Sequence, residues 1–166
     1  MRNKALENRL KGSNWAYTGS VAMKIHANRL GINFPENREI GNINIAANEP
    51  LRLVPIIAQN GWYLVNSPEH KRTKFRHTNG RTLDLFPANG RLAPKFKHVQ
   101  KFRGYPPVMS IKSLLNQKRM TNNYNTVKLL KNTKFLEFLM KHNSPKKSPP
   151  KKTLSRNMNV KPRRLF

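Results

Sequence analysis

The chain has 166 residues, no cysteine, and 33 Lys and Arg against 7 Asp and Glu, so its net charge is +26. The lack of cysteine excludes disulfides and thiolate metal sites and favours a reducing compartment. No apolar run approaches the roughly 20 residues needed to cross a bilayer, so a soluble, intracellular protein is expected. The charge itself predicts an anionic partner: nucleic acid, an anionic membrane surface or acidic protein faces.

The first elements read as a helix, a strand and a second helix. Residues 2–11 have apolar positions at near-helical spacing, and Trp15–Thr18 is extended and apolar. Gly19-Ser20 then forms a tight turn that opens a helix ended by Gly31. This order predicts a strand, turn and helix unit.

The next elements alternate in the same way. Residues 38–46 form a predicted strand in which Asn42 and Asn44 lie on the face opposite the isoleucines beside them. Residues 49–60 predict a helix, and Trp62–Val65 a short apolar strand. These elements continue the mixed pattern of strands and helices.

The clearest hairpin is 74–86, where Asn79-Gly80 predicts a type I′ turn and the second strand puts Asp84 on the face opposite its leucines. Residues 87–107 read as a long Pro- and Gly-rich connection. Ser110 can cap a helix. A last helix at 125–142 is expected to bury Val127, Leu130, Phe135, Phe138 and Leu139.

Together these elements predict an α/β or α+β domain over residues 1–142, a small mixed sheet flanked by helices. An extended basic tail over 143–166 follows, because that segment lacks the apolar content to fold alone.

Four segments carry a resemblance to the minimal nucleotidyltransferase superfamily. They are WAYTGSVAMKIHANRLG, EIGNINIAAN, NGRTLDLF, and the SIKSLLNQKR helix with NTVKLLKNTKFLEFLMK.

In that family a Gly-Ser turn cradles nucleotide phosphates, a D-x-D pair follows on a strand, and a third acid completes a metal-binding triad. The resemblance places the turn at Gly19 and Ser20, the pair at Asn42 and Asn44, and the third acid at Asp84. Two-metal catalysis needs carboxylates to hold and neutralise Mg²⁺. The amides therefore predict a pseudoenzyme without metal, cofactor or catalytic residues.

Other interpretations of the same residues stay open. Gly19-Ser20 is also typical of a plain turn with a helix N-cap, and the two asparagines of an ordinary solvent-facing strand edge. Asp84 is expected to pair with Arg81 or Arg76. The five histidines show no metal-ligand spacing with acids, and a surface position is expected for them: His26, His70, His77, His98 and His142.

Two basic segments are candidates for polyanion contact. The first is the 71–103 segment, in which basic residues alternate with aromatic ones. This pattern is typical of a surface that binds phosphates and stacks bases, and equally of a buried core beside a solvated face. The second is the tail, where SPKK and SPPKK resemble linker-histone tails and also fit a nuclear-localisation signal. The candidate contacts are Lys71, Arg72, Lys74, Arg76, Arg81, Arg91, Lys95, Lys97, Lys101, Arg103, Lys146, Lys147, Lys151, Lys152, Arg163 and Arg164.

The leading hypothesis from sequence is a non-catalytic structural protein that binds nucleic acid, DNA or RNA, with little sequence preference, or acidic protein surfaces in a large assembly. A minor capsid or core protein in the virion of a large DNA virus is the form favoured. The alternatives are a ribosomal or ribosome-associated protein, an active nucleotidyltransferase using Asp84, and a capsid cement protein that touches only protein. Outside a virus, a nuclear or cytoplasmic location is expected.

Overall fold

The computed structural model describes most of the chain before residue 144. The described ranges are 3–35, 42–59, 61–66, 72–88, 96–120 and 126–143.

Five helices and seven strands form in the described ranges. The helices are α1 Lys4–Arg9, α2 Gly19–Arg29, α3 Pro50–Ile57, α4 Ile111–Met120 and α5 Thr126–Asn143, with a 3₁₀ turn at Phe96–His98. The strands are β1 Trp15–Thr18, β2 Asn42–Ala47, β3 Trp62–Leu64, β4 Thr73–His77, β5 Thr82–Pro87, β6 Val99–Gln100 and β7 Val108–Met109. The expected mixed α+β fold is therefore confirmed.

All seven strands join one mixed sheet in the order β3-β4-β5-β2-β1-β7-β6. The central pair β2–β5 is parallel, as is β1–β7, and the remaining pairs are antiparallel. Helix α2 packs against β1, β2 and β7 and also contacts α4 and α5. The centre of the sheet is thus held by the strand, turn and helix unit that the sequence predicts.

Apolar side chains fill one face of the central strands. Register aligns Tyr17 with Ile45 and Ile45 with Leu85, and all three are 0% exposed. Opposed residues on neighbouring strands share a face, and successive residues alternate between faces. Each of these residues has a polar neighbour in the sequence that therefore lies on the other face of the sheet: Thr18, Asn44 and Asp84.

The predicted cap of α4 is confirmed. Ser110 Oγ accepts a hydrogen bond from the backbone N–H of Ser113 at 3.2 Å. That N–H is one of the donors that the first helical turn leaves without a partner. The cap fixes the start of α4, whose side chains Leu114 and Leu115 are buried.

The predicted type I′ turn of the hairpin is wrong. His77 donates its N–H to Arg81 O at 2.7 Å, and Gly80 donates to His77 O at 2.8 Å. The loop between the closing pair, His77 and Arg81, therefore has three residues, 78–80. Gly80, with φ +84°, takes the left-handed position that such three-residue hairpin loops require.

The predicted burial in α5 is only partly confirmed. Leu139 is 0% exposed and Phe135 packs against the core, but Leu130 is 58% and Phe138 44% exposed. Val127 lies outside the described side chains. Some apolar positions of α5 are therefore exposed among the described residues.

The segment 87–107, predicted to be a plain connection, contains structure. Phe96–His98 is a 3₁₀ turn, and β6 follows it directly. Strand β7, just beyond, pairs Val108 with Tyr17 and extends the sheet past β1. Residues 89–95 lie outside the described ranges.

Candidate functional site

A row of polar residues crosses the face of the sheet opposite the apolar one. Register pairs Thr18 with Asn44, Asn44 with Asp84, and Asp84 with Lys74. The four residues belong to four adjacent strands, β1, β2, β5 and β4. The fold thus brings Asn44 beside Asp84, two residues that the sequence separates by forty positions.

Asp84 is the buried acid of this row, with only 3% of its surface exposed. Its Oδ2 accepts a hydrogen bond from Asn42 Nδ2 at 3.3 Å. The same oxygen lies 3.7 Å from Nη1 of Arg72, whose side chain is 53% exposed. Asp84 therefore pairs with Arg72, one residue before β4, and not with the expected Arg81 or Arg76.

The two asparagines differ in their surroundings. The Thr82 hydroxyl donates a hydrogen bond to Asn42 Oδ1, so both ends of the Asn42 amide are engaged. Asn44 Oδ1 and Asp84 Oδ1 are buried and have no hydrogen-bond partner in the described part of the chain. Buried acceptors are usually satisfied, so these two oxygens lack a donor among the described residues.

Gly19 brings the turn after β1 into contact with this row. Its φ is +61°, and a Cβ built on it would lie 2.5 Å from Asn44 Nδ2. Any side chain at this position would collide with the amide. Glycine therefore allows the start of α2 to lie directly against Asn44.

The first turn of α2 keeps its N–H groups free of a side-chain cap. Thr18 is the N-cap residue, but it makes no capping hydrogen bond. Its Oγ1 donates instead to Gln117 Oε1 on α4 at 3.1 Å. Helix N-termini with unsatisfied N–H groups bind anions, and half-buried Ser20 adds a hydroxyl at the same place.

The basic residues of the 71–103 segment separate into two groups. One group lies on or beside β4 and β5 and the other on or after the 3₁₀ turn near β6, at opposite sides of the sheet order. Five strand spacings of about 4.8 Å separate β4 from β6. The first group is Arg72, Lys74, Arg76 and Arg81, and the second is Lys97, Lys101 and Arg103.

The other predicted polyanion contacts lie outside the described residues: Lys71, Arg91, Lys95, Lys146, Lys147, Lys151, Lys152, Arg163 and Arg164. Of the aromatic residues interleaved with the basic ones, Phe75 is 0% exposed and belongs to the core. Phe102 and Tyr105 pack against the core as partly buried residues. A base-stacking role is therefore excluded for Phe75.

His26 is not on the surface as expected. It is 0% exposed, and its Nε2 lies 2.8 Å from Met109 O, so Nε2 carries the proton that it donates. Burial lowers the pKa of His26 from its ordinary 6.5, the hydrogen bond to Met109 raises it, and nearby Arg29 lowers it. The sequence signal was present, since His26 lies four residues after buried Ala22 on α2.

A separate cavity of about 640 Å³ opens at the Trp15 end of β1, away from Gly19. Its lining includes Lys11, Trp15, Lys101 and Tyr105. None of the five positions that the family resemblance singles out lies in it.

The described residues contain neither a cluster of metal ligands nor a membrane-spanning helix. No group of three or more His, Cys, Asp or Glu side chains in those residues could hold a metal ion. No helix in the same ranges combines the length and the apolar character of a membrane span.

Comparison with known proteins supports the fold. No protein-family model matches the chain, and no curated protein matches it. Among solved structures, it is similar to the lincosamide antibiotic adenylyltransferase LnuA in its lincomycin-bound crystal structure. The TM-score is 0.53 at 14% identity, over 75% of this chain and 86% of that one. The chain therefore has a nucleotidyltransferase-like fold.

This likeness corrects one expectation from the sequence. The chain was expected to be no enzyme, yet a solved structure with a similar fold is an adenylyltransferase. This finding contradicts the prediction of inactivity.

Proposed function

We propose that the protein binds a nucleoside triphosphate where the α2 N-terminus meets the Asn44–Asp84 row. The observation that carries the proposal is the contact between Gly19 and Asn44, which brings uncapped helix N–H groups to the edge of the polar row. Phosphate oxygens accept from such N–H groups. A nucleotide is the ligand class that the similar adenylyltransferase suggests.

The row supplies the remaining contacts. Asn44 Oδ1 and Asp84 Oδ1 are buried acceptors without partners among the described residues, and hydroxyl groups of a ribose would satisfy them. Arg72, half exposed and paired with Asp84, offers guanidinium N–H groups to phosphate. Donors for the phosphates and acceptors for the sugar thus lie side by side.

The proposal includes the equivalence drawn from the sequence. Asn42 and Asn44 stand where a nucleotidyltransferase carries its acidic pair, and Asp84 stands at the third acid. The parallel pairing of Asn44 with Asp84 supports this alignment, because it puts the three positions next to one another. The SPKK-type tail lies outside the described residues.

Isothermal titration of the purified protein with ATP and with GTP tests the proposal. We expect one site per chain. Gly19→Ala should weaken binding at least about tenfold, since loss of hydrogen bonds to a charged group costs about 1.5–3 kcal/mol each. Gly31→Ala is the control, because Gly31 also has positive φ but no atom within 4 Å of its Cβ position.

Two results would contradict the proposal. One is no saturable binding of either nucleotide. The other is equal loss of affinity in both glycine variants, which would make the effect one of general stability. In the same preparation, labelled adenylyl transfer from ATP to hydroxyl acceptors that disappears in Asp84→Ala would add a catalytic role.

The charge supports a second function, binding of a nucleic acid or another polyanion within a large assembly. Thirty-three Lys and Arg against seven acids predict affinity that depends steeply on salt and little on sequence. Affinity should fall on the order of a thousandfold over a fourfold rise in salt if several phosphates are contacted. The placement of such an assembly in a virus, with a minor capsid role, stays a prediction.

A truncation separates the tail from the folded domain in this function. Asn143 accepts a hydrogen bond from Arg29, so residues 144–166 should be deleted and Asn143 kept. The salt dependence of DNA binding should become shallower while the unfolding midpoint stays unchanged. An unchanged slope would exclude the tail as a phosphate contact.

A further inference from the structure

The structure disagrees with the metal dependence that a nucleotidyltransferase fold implies. In that family carboxylates hold the divalent ions, and Mg²⁺ bound by protein uses one or two carboxylates with substrate phosphates. In this site Asp84 is the single carboxylate of the row, beside two amides. The surroundings of that carboxylate decide whether a divalent ion fits.

Positive charge lies beside Asp84 Oδ2, one of the two oxygens that a metal would use. Arg72 Nη1 lies 3.7 Å from Asp84 Oδ2, and register places Lys74 opposite Asp84 on the same face. A divalent ion at Asp84 Oδ2 would face the Arg72 guanidinium at short range, with Lys74 on the same face of the sheet, and Coulomb repulsion at such distances amounts to several kcal/mol near a protein surface.

The amides of Asn42 and Asn44 do not replace the missing carboxylates as metal ligands. Asn42 turns its Nδ2 toward Asp84, as it must, because an ionised carboxylate only accepts hydrogen bonds. Its Oδ1 is already engaged by the Thr82 hydroxyl. The free oxygens that remain are Asn44 Oδ1 and Asp84 Oδ1, which together supply one negative charge. This donor set does not fit a pair of divalent ions.

We infer that Arg72, held by Asp84 and assisted by Lys74, is the counter-ion of the bound phosphates, and that nucleotide binding needs no divalent cation. The ion pair, at 3.7 Å, places one end of the guanidinium beside Asp84, while half of the Arg72 side chain remains exposed. A guanidinium has five N–H donors, and this separation leaves them available to a phosphate. This inference rests on the proposed nucleotide site.

The test is titration with ATP at physiological salt, once with excess EDTA and once with excess Mg²⁺. Affinity in EDTA should equal or exceed that with Mg²⁺, because the metal neutralises the same phosphate oxygens that Arg72 would bind. Arg72→Gln should weaken ATP binding about tenfold or more in EDTA. Arg72→Lys should restore part of the affinity, since it keeps the charge without the two-pronged geometry.

Arg103→Gln is the matched control. Arg103 is exposed and lies after β6, and its substitution removes the same charge. The ATP affinity of the Arg103→Gln variant should therefore stay within about twofold of that of the unsubstituted protein. Equal losses in the Arg72 and Arg103 variants would reduce the effect to net charge and overturn the inference.

The outcomes separate the two proposals. Binding only with Mg²⁺, and unchanged affinity in Arg72→Gln, would overturn the role of Arg72 while leaving the nucleotide site intact. No binding in either EDTA or Mg²⁺ would overturn the nucleotide site itself.

Discussion

Gly19 and Asn44 are so close that a methyl group on the glycine would lie 2.5 Å from the amide nitrogen. Gly31 has a similar φ, +67°, with open space around it. The two positions therefore separate backbone strain from crowding. At Gly31 only strain applies, and at Gly19 both apply.

We predict that Gly31→Ala lowers the free energy of unfolding by about 1 kcal/mol, the cost of a left-handed backbone for a residue with a Cβ. Gly19→Ala should lower it by about 2–4 kcal/mol, because crowding adds about 1–3 kcal/mol. Urea denaturation of both variants measures the difference. Equal losses would mean that Asn44 moves aside without cost.

A second prediction concerns Asp84. A buried carboxylate with an unpartnered oxygen and a half-exposed cationic partner is poorly compensated, so its charge costs stability. Asp84→Asn should leave the free energy of unfolding unchanged or raise it by up to about 1 kcal/mol, while ATP affinity falls because Arg72 loses its anchor.

Thermal unfolding and ATP titration of the same preparation test this prediction. A clear loss of stability in Asp84→Asn would show instead that the Arg72 pair is net stabilising. Retained ATP affinity would show that Arg72 needs no carboxylate to position it.

The third prediction is a pH dependence from His26. Burial lowers its pKa in the folded protein below the ordinary 6.5, so the unfolded chain binds the proton more readily. The stability that neutral His26 provides is complete above pH 6.5 and declines as the pH falls toward the lowered value. The decline cannot exceed about 1.4 kcal/mol per pH unit for one group.

Urea denaturation between pH 8 and pH 5 measures this decline. The His26→Gln variant should be less stable at pH 8, because the substitution changes the hydrogen bond to Met109 O. Its free energy of unfolding should, however, depend less on pH. A variant curve parallel to that of the unsubstituted protein would assign the pH dependence to other groups.

The fourth prediction uses two leucines of α5. Leu139 is 0% exposed and Leu130 is 58% exposed. Leu139→Ala should cost about 2–5 kcal/mol through lost burial and a cavity, whereas Leu130→Ala should stay within about 0.5 kcal/mol. Chemical denaturation of the two variants checks this. Similar losses would mean that Leu130 is covered in solution.

Most of the central fold could be predicted from local patterns. Trp15–Thr18 followed by a glycine turn and an apolar helix is a strong signal, and β1 has the predicted bounds. Helix α2 forms where predicted, but it begins at Gly19, inside the predicted turn, and ends at Arg29. Strand β7 was not predicted because two residues give no alternation to detect. Its pairing with β1 depends on Tyr17 and Val108, which are distant in sequence.

The site was only partly predictable for a related reason. The alternation along each strand fixes which face Asn42, Asn44 and Asp84 take. The partner of Asp84 depends on how β4 lies against β5, and several arginines in that segment offer equivalent sequence signals. Arg72 and Arg76 both lie two residues from Lys74, which pairs with Asp84, so only the side-chain positions in three dimensions show that Arg72 is the partner.

The hydrogen bond from Arg29 to Asn143 joins the last turn of α5 to the C-terminal end of α2. The eleven residues of α2 span about 16 Å at 1.5 Å per residue, and Gly19 is at the other end. Asn143 is therefore anchored at the end of α2 opposite Gly19, one helix length from the proposed triphosphate pocket.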